Sequence, residues 1–389
     1  MWALGGAVAI AATRLVPPAG VASAVGRGTD VYLFLAGMMV LSEVARREGV
    51  FDWVAALAIR ASRGSRRRLF AIVYGVGVVV TTVLSNDATA VVLTPAVAAA
   101  VKAAQVKPLP YLFACALIAN AASFVLPISN PANLVVFAGG MPPLARWLGA
   151  FALPSLASIA VTYAVLLLVF RRDLDGAVAS AGAAKPLGLP GRLAIGGIAL
   201  TALALVVASG LGANLGGVTA VASGIVFVAV ALVDRRAAAP VVRAVSWTVL
   251  LLVAGLFVLV SAVDETGLLR VLGRATAAAS SWSKPLGLAA AAFSTGVGSN
   301  LINNLPAGLI AGSTVAAAHA GDAFRSAVAI GIDLGPNLSV TGSLATILWL
   351  LALRREEIAV DAWQFLRVGA IAMPLALLAA VESLLIVFH

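Results

Sequence analysis

Apolar blocks alternate with short basic or Gly/Pro-rich joints along most of this chain. Uninterrupted blocks such as Leu153–Phe170, Ala213–Val233 and Val245–Val263 approach the ~20 residues that cross a ~30 Å hydrocarbon layer. Four other blocks carry a polar interruption. Leu69–Val101 is broken at Ser85-Asn86-Asp87, Tyr111–Phe137 at Pro127 to Asn133, Leu286–Ala318 at Ser299 to Pro306, and Phe324–Leu353 at Asp333 to Asn337 and again at Thr341 to Ser343. Each arm of the first has about 15 residues, or about 22 Å of helix, which is too short to span. Basic residues flank both of its ends, so it reads as a re-entrant hairpin that enters and returns on one side. Two prolines and two asparagines cannot continue a lipid-facing helix, so Tyr111–Phe137 reads as a broken crossing helix.

The same order then repeats. A short helix near Met1–Thr13 and a span at Asp30–Ala45 precede an amphipathic stretch, Phe51–Arg60, with Trp53 at the interface. After the hairpin and the broken helix come a short interfacial piece at Met141–Gly149 and a return at Phe151–Phe170. Spans at Leu193–Ser209, Ala213–Val233 and Val245–Val263 lead to a second amphipathic piece, Asp264–Ala275, a second hairpin, a second broken helix and a last span at Phe365–Phe388. The expected fold is an all-α polytopic membrane protein made of two inverted-topology repeats, each with a re-entrant hairpin and a broken helix, about nine spans plus two hairpins in all. Residues 1–172 form the first repeat, 173–192 a cytoplasmic linker and 193–389 the second. Arg60 to Arg68, Arg171-Arg172, Arg235-Arg236 and Arg354-Arg355 place those loops in the cytoplasm of an inner membrane, with the N-terminus cytoplasmic and the C-terminus periplasmic.

Composition agrees with a bilayer as solvent: 62% of residues are hydrophobic and 11% charged, against about 25% charged in a soluble domain. The net charge of +10 sits in short loops and reads as a topology signal, with no nucleic-acid partner implied. The one cysteine, Cys115, excludes a disulfide or a thiolate metal site and reads as a small core residue. No nucleophile with its base and no His/Asp metal cluster falls at membrane depth, so no enzyme, metal or cofactor is expected.

The interruptions match between halves. An offset of 218 pairs Ser85-Asn86 with Asn303-Asn304, and an offset of 213 pairs Asn120 with Asp333 and Ser129-Asn130 with Gly342-Ser343. Freed backbone at membrane depth is tolerated where it lines a cavity or is buried in protein. The expectation is therefore one midplane site lined by Ser85, Asn86, Asp87, Thr89, Asn120, Ser129, Asn130, Asn133, Asn300, Asn303, Asn304, Asn337, Thr341 and Ser343. Their amides and hydroxyls both donate and accept. With no Arg, Lys or His in any break, such a lining suits a neutral polyhydroxylated solute better than a multiply charged anion. Desolvation disfavours the charged form of an unpaired carboxylate, so Asp87 and Asp333 are the candidates for proton exchange. Either can also cap a half-helix. Glu43 reads as pairing with Arg47 or snorkelling, and the tryptophans read as interfacial anchors.

The strings Ser85–Pro95 (SNDATAVVLTP), Pro127–Leu134 (PISNPANL), Ser299–Pro306 (SNLINNLP) and Asp333–Thr346 (DLGPNLSVTGSLAT) resemble those of the arsenite-efflux permeases within the ion transporter superfamily. The Asn-pair hairpin tips are common to sodium/proton and dicarboxylate relatives, whereas the last string with Ser129 to Asn133 is closer to the arsenite branch. The resemblance implies a scaffold domain and a transport domain, with export of arsenite and antimonite in exchange for protons. It also admits a soluble ATPase partner. A sodium/proton antiporter or a small anion or dicarboxylate carrier remains open on the same scaffold. A single cysteine departs from triple-thiol capture and agrees with transport of the hydroxylated neutral acid.

Overall fold

The computed structural model describes residues 5–7, 10, 12–13, 16–138, 140–178, 186–236, 238–280 and 283–389. Among them the chain is all helix, with one isolated bridge between Ser65 and Ala177 in place of any strand. The short helix expected at Met1–Thr13 lies largely outside the described residues, as does Trp282.

The first half runs α1 Pro18–Arg27, α2 Thr29–Arg47, α3 Val50–Ala61 and α4 Arg66–Val83. A turn at Asn86–Ala88 and a π-helical stretch at Thr89–Leu93 then lead into α5 Thr94–Ala103, and α6 Leu109–Ala121, α7 Pro131–Val136 and α8 Leu144–Val169 follow. The second half runs α9 Leu189–Gly210, α10 Leu215–Val233, α11 Ala238–Ala244, α12 Trp247–Glu265, α13 Leu268–Ser280, α14 Lys284–Ile302, α15 Asn304–Ala317, α16 Asp322–Leu334, α17 Leu344–Arg355 and α18 Ala362–Val387. Five helices are long and apolar enough to cross a bilayer, and the bent pair α1 and α2, 46° apart, makes a sixth. The protein is a multi-pass membrane protein. The second arms of the hairpins and both parts of the broken crossings are too short to span, at 6 to 14 residues, whereas the first arms, α4 and α14, have 18 and 19.

Two pieces differ from the sequence reading. The segment Met141–Gly149 is no separate interfacial element: from Leu144 onward it is the start of α8, and Pro143 sits at the cap. The tryptophans are not all anchors either. Trp147 and Trp349 are fully buried, and each indole donates to a backbone oxygen, Phe124 O at 3.1 Å and Leu112 O at 3.0 Å. Phe124 lies in the first break, so Trp147 satisfies a carbonyl that no helix can use.

Packing is reciprocal between halves. Helix α4 lies on α6, and α14 on α16; α5 with its π stretch lies on α17, and α15 on α7; α8 and α18 pack along their length. Each hairpin therefore rests one arm on the broken helix of its own half and the other arm on that of the opposite half.

Candidate transport site

Hairpin 1 turns at Leu84 and Ser85. Ser85 has extended dihedrals (φ 173°, ψ 169°) and its Oγ accepts from Ala88 N at 3.2 Å, capping the second arm. Asn86 Oδ1 accepts from Asp87 N at 2.9 Å. The returning arm widens into the π-helical stretch, where Pro95 withholds one amide and Thr94 Oγ1 donates to Thr89 O at 2.9 Å. Thr89 Oγ1 in turn meets Thr81 Oγ1 across the hairpin at 2.8 Å. Hairpin 2 turns at the matching place. Asn303 adopts φ +75°, its Nδ2 donates to Thr341 O at 3.2 Å, and Asn304 N donates to Gly342 O at 2.8 Å. Asn300 Nδ2 donates to Gly335 O at 2.9 Å, its Oδ1 accepts from Ser339 Oγ at 2.7 Å, and Thr341 Oγ1 donates to Asn300 O.

The two broken helices meet directly. Asn120 Nδ2 donates to Asn337 Oδ1 at 2.9 Å, and Asn337 Nδ2 to Leu117 O at 3.0 Å. Asn130 caps α7 through Ala132 N and donates from Nδ2 to Asp333 Oδ1 at 2.7 Å. Asn133 Nδ2 donates to Ser123 O, and Ser343 caps α17 through Thr346 N. Ser129 Oγ donates to Thr82 O at 3.1 Å, tying this joint to hairpin 1. The four interruptions thus form one continuous polar seam. Most of it is dry: Asp333 is 0% exposed, and Asp333 Oδ2, Asn120 Oδ1 and Asn133 Oδ1 have no hydrogen-bond partner among the described residues.

Open space lies on the seam at hairpin 1. A cavity of about 80 Å³ sits between α2, the tip and second arm of hairpin 1, the segment Ala244–Val249 and α17. Of the sequence candidates, Ser85 and Asp87 line it. Ser42, Glu43 and Ser246 add polar groups, and Leu35, Met38, Val91, Leu344 and Leu348 supply much of the apolar wall. Asn86, Thr89, Asn120, Asn130, Asn133, Asn337 and Asp333 lie behind it in the seam. Asn300, Asn303, Thr341 and Ser343 belong to hairpin 2 and the second break. Glu43 is the lining residue that sequence reasoning assigned elsewhere: its carboxylate is held by Arg46, not Arg47, and faces the cavity. Nothing in the sequence separates the two arginines, since i+3 and i+4 neighbours are both in reach on a helix.

A second cavity, of about 320 Å³, lies at the opposite ends of the same helices. It is lined by Arg27 just before α2, by Phe257, Ser261 and Asp264 toward the end of α12, by Arg270, and by Leu309, Ser313 and Ala317 of α15. It lies against the second arm of hairpin 2 and does not reach that hairpin's tip.

A family model described as "Citrate transporter" (CitMHS) matches residues 1–336. The chain belongs to the CitMHS family. Among relatives of this CitMHS member are two named arsenical pump membrane protein. That of Yersinia enterocolitica is 28% identical over 354 residues, covering 86% of this chain and 81% of the relative. That of Escherichia coli K12 is 27% identical over 360 residues, with the same coverage. An uncharacterised transporter of Mycobacterium tuberculosis is 25% identical over 373 residues, covering 90% and 84%. The fold is similar to that of the Alcanivorax borkumensis YdaH transporter, described as having an unusual topology. The TM-score is 0.53 at 16% identity, covering 94% of this chain and 86% of that one. The chain is a membrane transporter by family, and the resemblance to arsenite-efflux permeases noted in its breaks agrees with the names of these relatives.

Proposed function

We propose that this protein exports arsenite and antimonite, as neutral trivalent hydroxy acids, across the inner membrane in exchange for protons. One observation carries the reading: the cavity at hairpin 1 offers three serine hydroxyls and two carboxylates, and among the described residues no Lys, Arg or His lines it. A citrate or other multiply charged anion entering there would lose its hydration without gaining a cation. A neutral acid with several hydroxyls finds acceptors in Asp87, Ser85 and Ser42 and gives up little. The volume suits it too: a water needs about 10–15 Å³, so about 80 Å³ holds a solute of a few heavy atoms. The relatives' names supply the element.

On this reading Asp87 is the group that solute and proton share. Ionised, its carboxylate accepts from the solute hydroxyls; protonated, it becomes a donor and one acceptor is lost, which favours release. Asp333, behind the seam, exchanges its proton when the two broken helices separate. Residues 1–172 and 193–389 are the two inverted repeats, and 173–192 is the cytoplasmic linker. The N-terminus is cytoplasmic and the C-terminus periplasmic. The cavity at hairpin 1, close to Arg46 and Arg47, then opens to the cytoplasm.

The reading is tested by arsenite uptake into everted vesicles under an imposed pH gradient. Asp87→Asn is expected to abolish pH-driven uptake while leaving solute exchange measurable, and Asp333→Asn to weaken the pH dependence. Normal pH-driven uptake in both would overturn proton coupling. A second reading, coupling to sodium, has its own observation: Asp333, Asn120 and Asn133 each keep a buried side-chain oxygen with no hydrogen-bond partner among the described residues, and oxygen donors suit a small hard cation. Uptake that requires sodium on the lumenal side at constant pH would select it.

A further inference from the structure

We propose that Glu43 is a specificity-determining residue of the hairpin 1 cavity, acting as a charge filter that turns Arg46 away from the solute path and so denies anions a foothold. The inference deepens the reading of that cavity as the solute site and rests on it. Glu43 lines the cavity with its side chain 13% exposed, while the side chain of Arg46 is 50% exposed and lies outside the lining. Arg46 Nε donates to Glu43 Oε2 at 2.7 Å, and Arg46 Nη2 contacts Glu43 Oε1. The pair is therefore forked, and a forked guanidinium–carboxylate contact fixes direction as well as distance. Its negative end faces the cavity and its positive end faces out.

The other cations near this rim are turned away as well. Arg47 donates from Nη2 to Arg236 O at 3.0 Å. Arg243 precedes the lining segment Ala244–Val249 and is exposed. Arg46 and Arg47 on the last turn of α2 and Arg243 beside the lining segment thus lie near the cavity in sequence, and none of them lines it; Arg46 is the one clasped by Glu43. Release of that clasp leaves a long, always-charged side chain next to an opening lined by serines, a setting that favours phosphate and carboxylates. A transporter of a neutral acid working against abundant cytoplasmic anions gains by such a device, since specificity is a difference of affinities and a missing counter-charge is an effective way to reject a competitor.

The test uses purified full-length protein in detergent, titrated calorimetrically with citrate and with inorganic phosphate, beside arsenite uptake into vesicles by the wild type. Wild type is expected to bind neither anion. Glu43→Gln is expected to bind inorganic phosphate measurably, with an affinity gain on the order of tenfold or more over wild type, weakening as salt rises and the Debye length falls from about 30 Å at 0.01 M to about 8 Å at 0.15 M. The double variant Glu43→Gln/Arg46→Gln is expected to lose that binding again. Arg46 is half exposed and stays hydrated when the pair is lost, so all variants should purify, and circular dichroism checks this. Phosphate binding by wild type, none by Glu43→Gln, or equal binding by the double variant would each overturn the filter. Absent arsenite uptake by wild type would instead overturn the functional reading, and the two failures are distinct.

Discussion

Asn303 holds φ +75° and ψ 151° at the tip of hairpin 2, a region that L side chains rarely adopt. Its partner by repeat, Ser85, turns hairpin 1 with extended dihedrals and no such strain. The strain at Asn303, of order 1–3 kcal/mol, is held by the amide bridge to Thr341 O and by capping of Leu305 N. Asn303→Ala keeps the strain and loses both bonds, whereas Asn303→Gly relieves the strain while losing them. Thermal unfolding in detergent should therefore rank wild type above Gly and Gly above Ala, with the Ala variant down by about 1–3 kcal/mol; an Ala variant as stable as Gly would contradict it. At this scale the sequence was legible wherever a polar residue interrupts an apolar run, which is why Asp87, Asn130, Asn303 and Asp333 stand out. It was illegible where polarity is ordinary. Glu43 looks like any acidic residue near a basic helix end, and Trp147 and Trp349 look like anchors until their buried hydrogen bonds to Phe124 O and Leu112 O are seen.

The hairpins and broken helices fit together through bare backbone. A Cβ built on Gly331 would lie 2.2 Å from Ala292 O, and one on Gly335 2.4 Å from Gly296 O, so α14 and α16 approach as closely as small residues allow. Gly298, on the same α14, faces open space. Gly331→Ala and Gly335→Ala should force the hairpin arm off the broken helix and cut the yield of monodisperse protein severalfold, while Gly298→Ala, a better helix former by about 1 kcal/mol, should not. Monodisperse Gly331→Ala at wild-type yield would refute the close-packing account. The order of the elements and the short second arms were readable, because arms of about 15 residues cannot span. The bend between α1 and α2, at Gly28, was not read from the chain, nor was the continuity of α8 from Leu144, since the prolines at Pro142-Pro143 mark a start as readily as a break.

Across the whole molecule, two hollows lie at opposite ends of α2 and α12, one against each hairpin. The sole cysteine, Cys115, is buried, so single cysteines introduced at Leu348 in the first hollow and Leu309 in the second report on each without background. Arsenite export by exchange of access predicts opposite responses: a condition that raises maleimide labelling at Leu348→Cys should lower it at Leu309→Cys. Labelling that rises together at both would mean an open pore. The sequence led to the expectation of one midplane site, and neither the two hollows nor which of them would lack cations was legible, because those depend on side-chain directions at helix ends. Where hollows fill with water from both faces, the insulating wall between them is thinner than the bilayer. The voltage drop, worth about 2.3 kcal/mol per charge per 100 mV, then concentrates on the seam between Asp87 and Asn303, so a proton displaced there by a few ångströms would do nearly the electrical work of crossing the entire membrane.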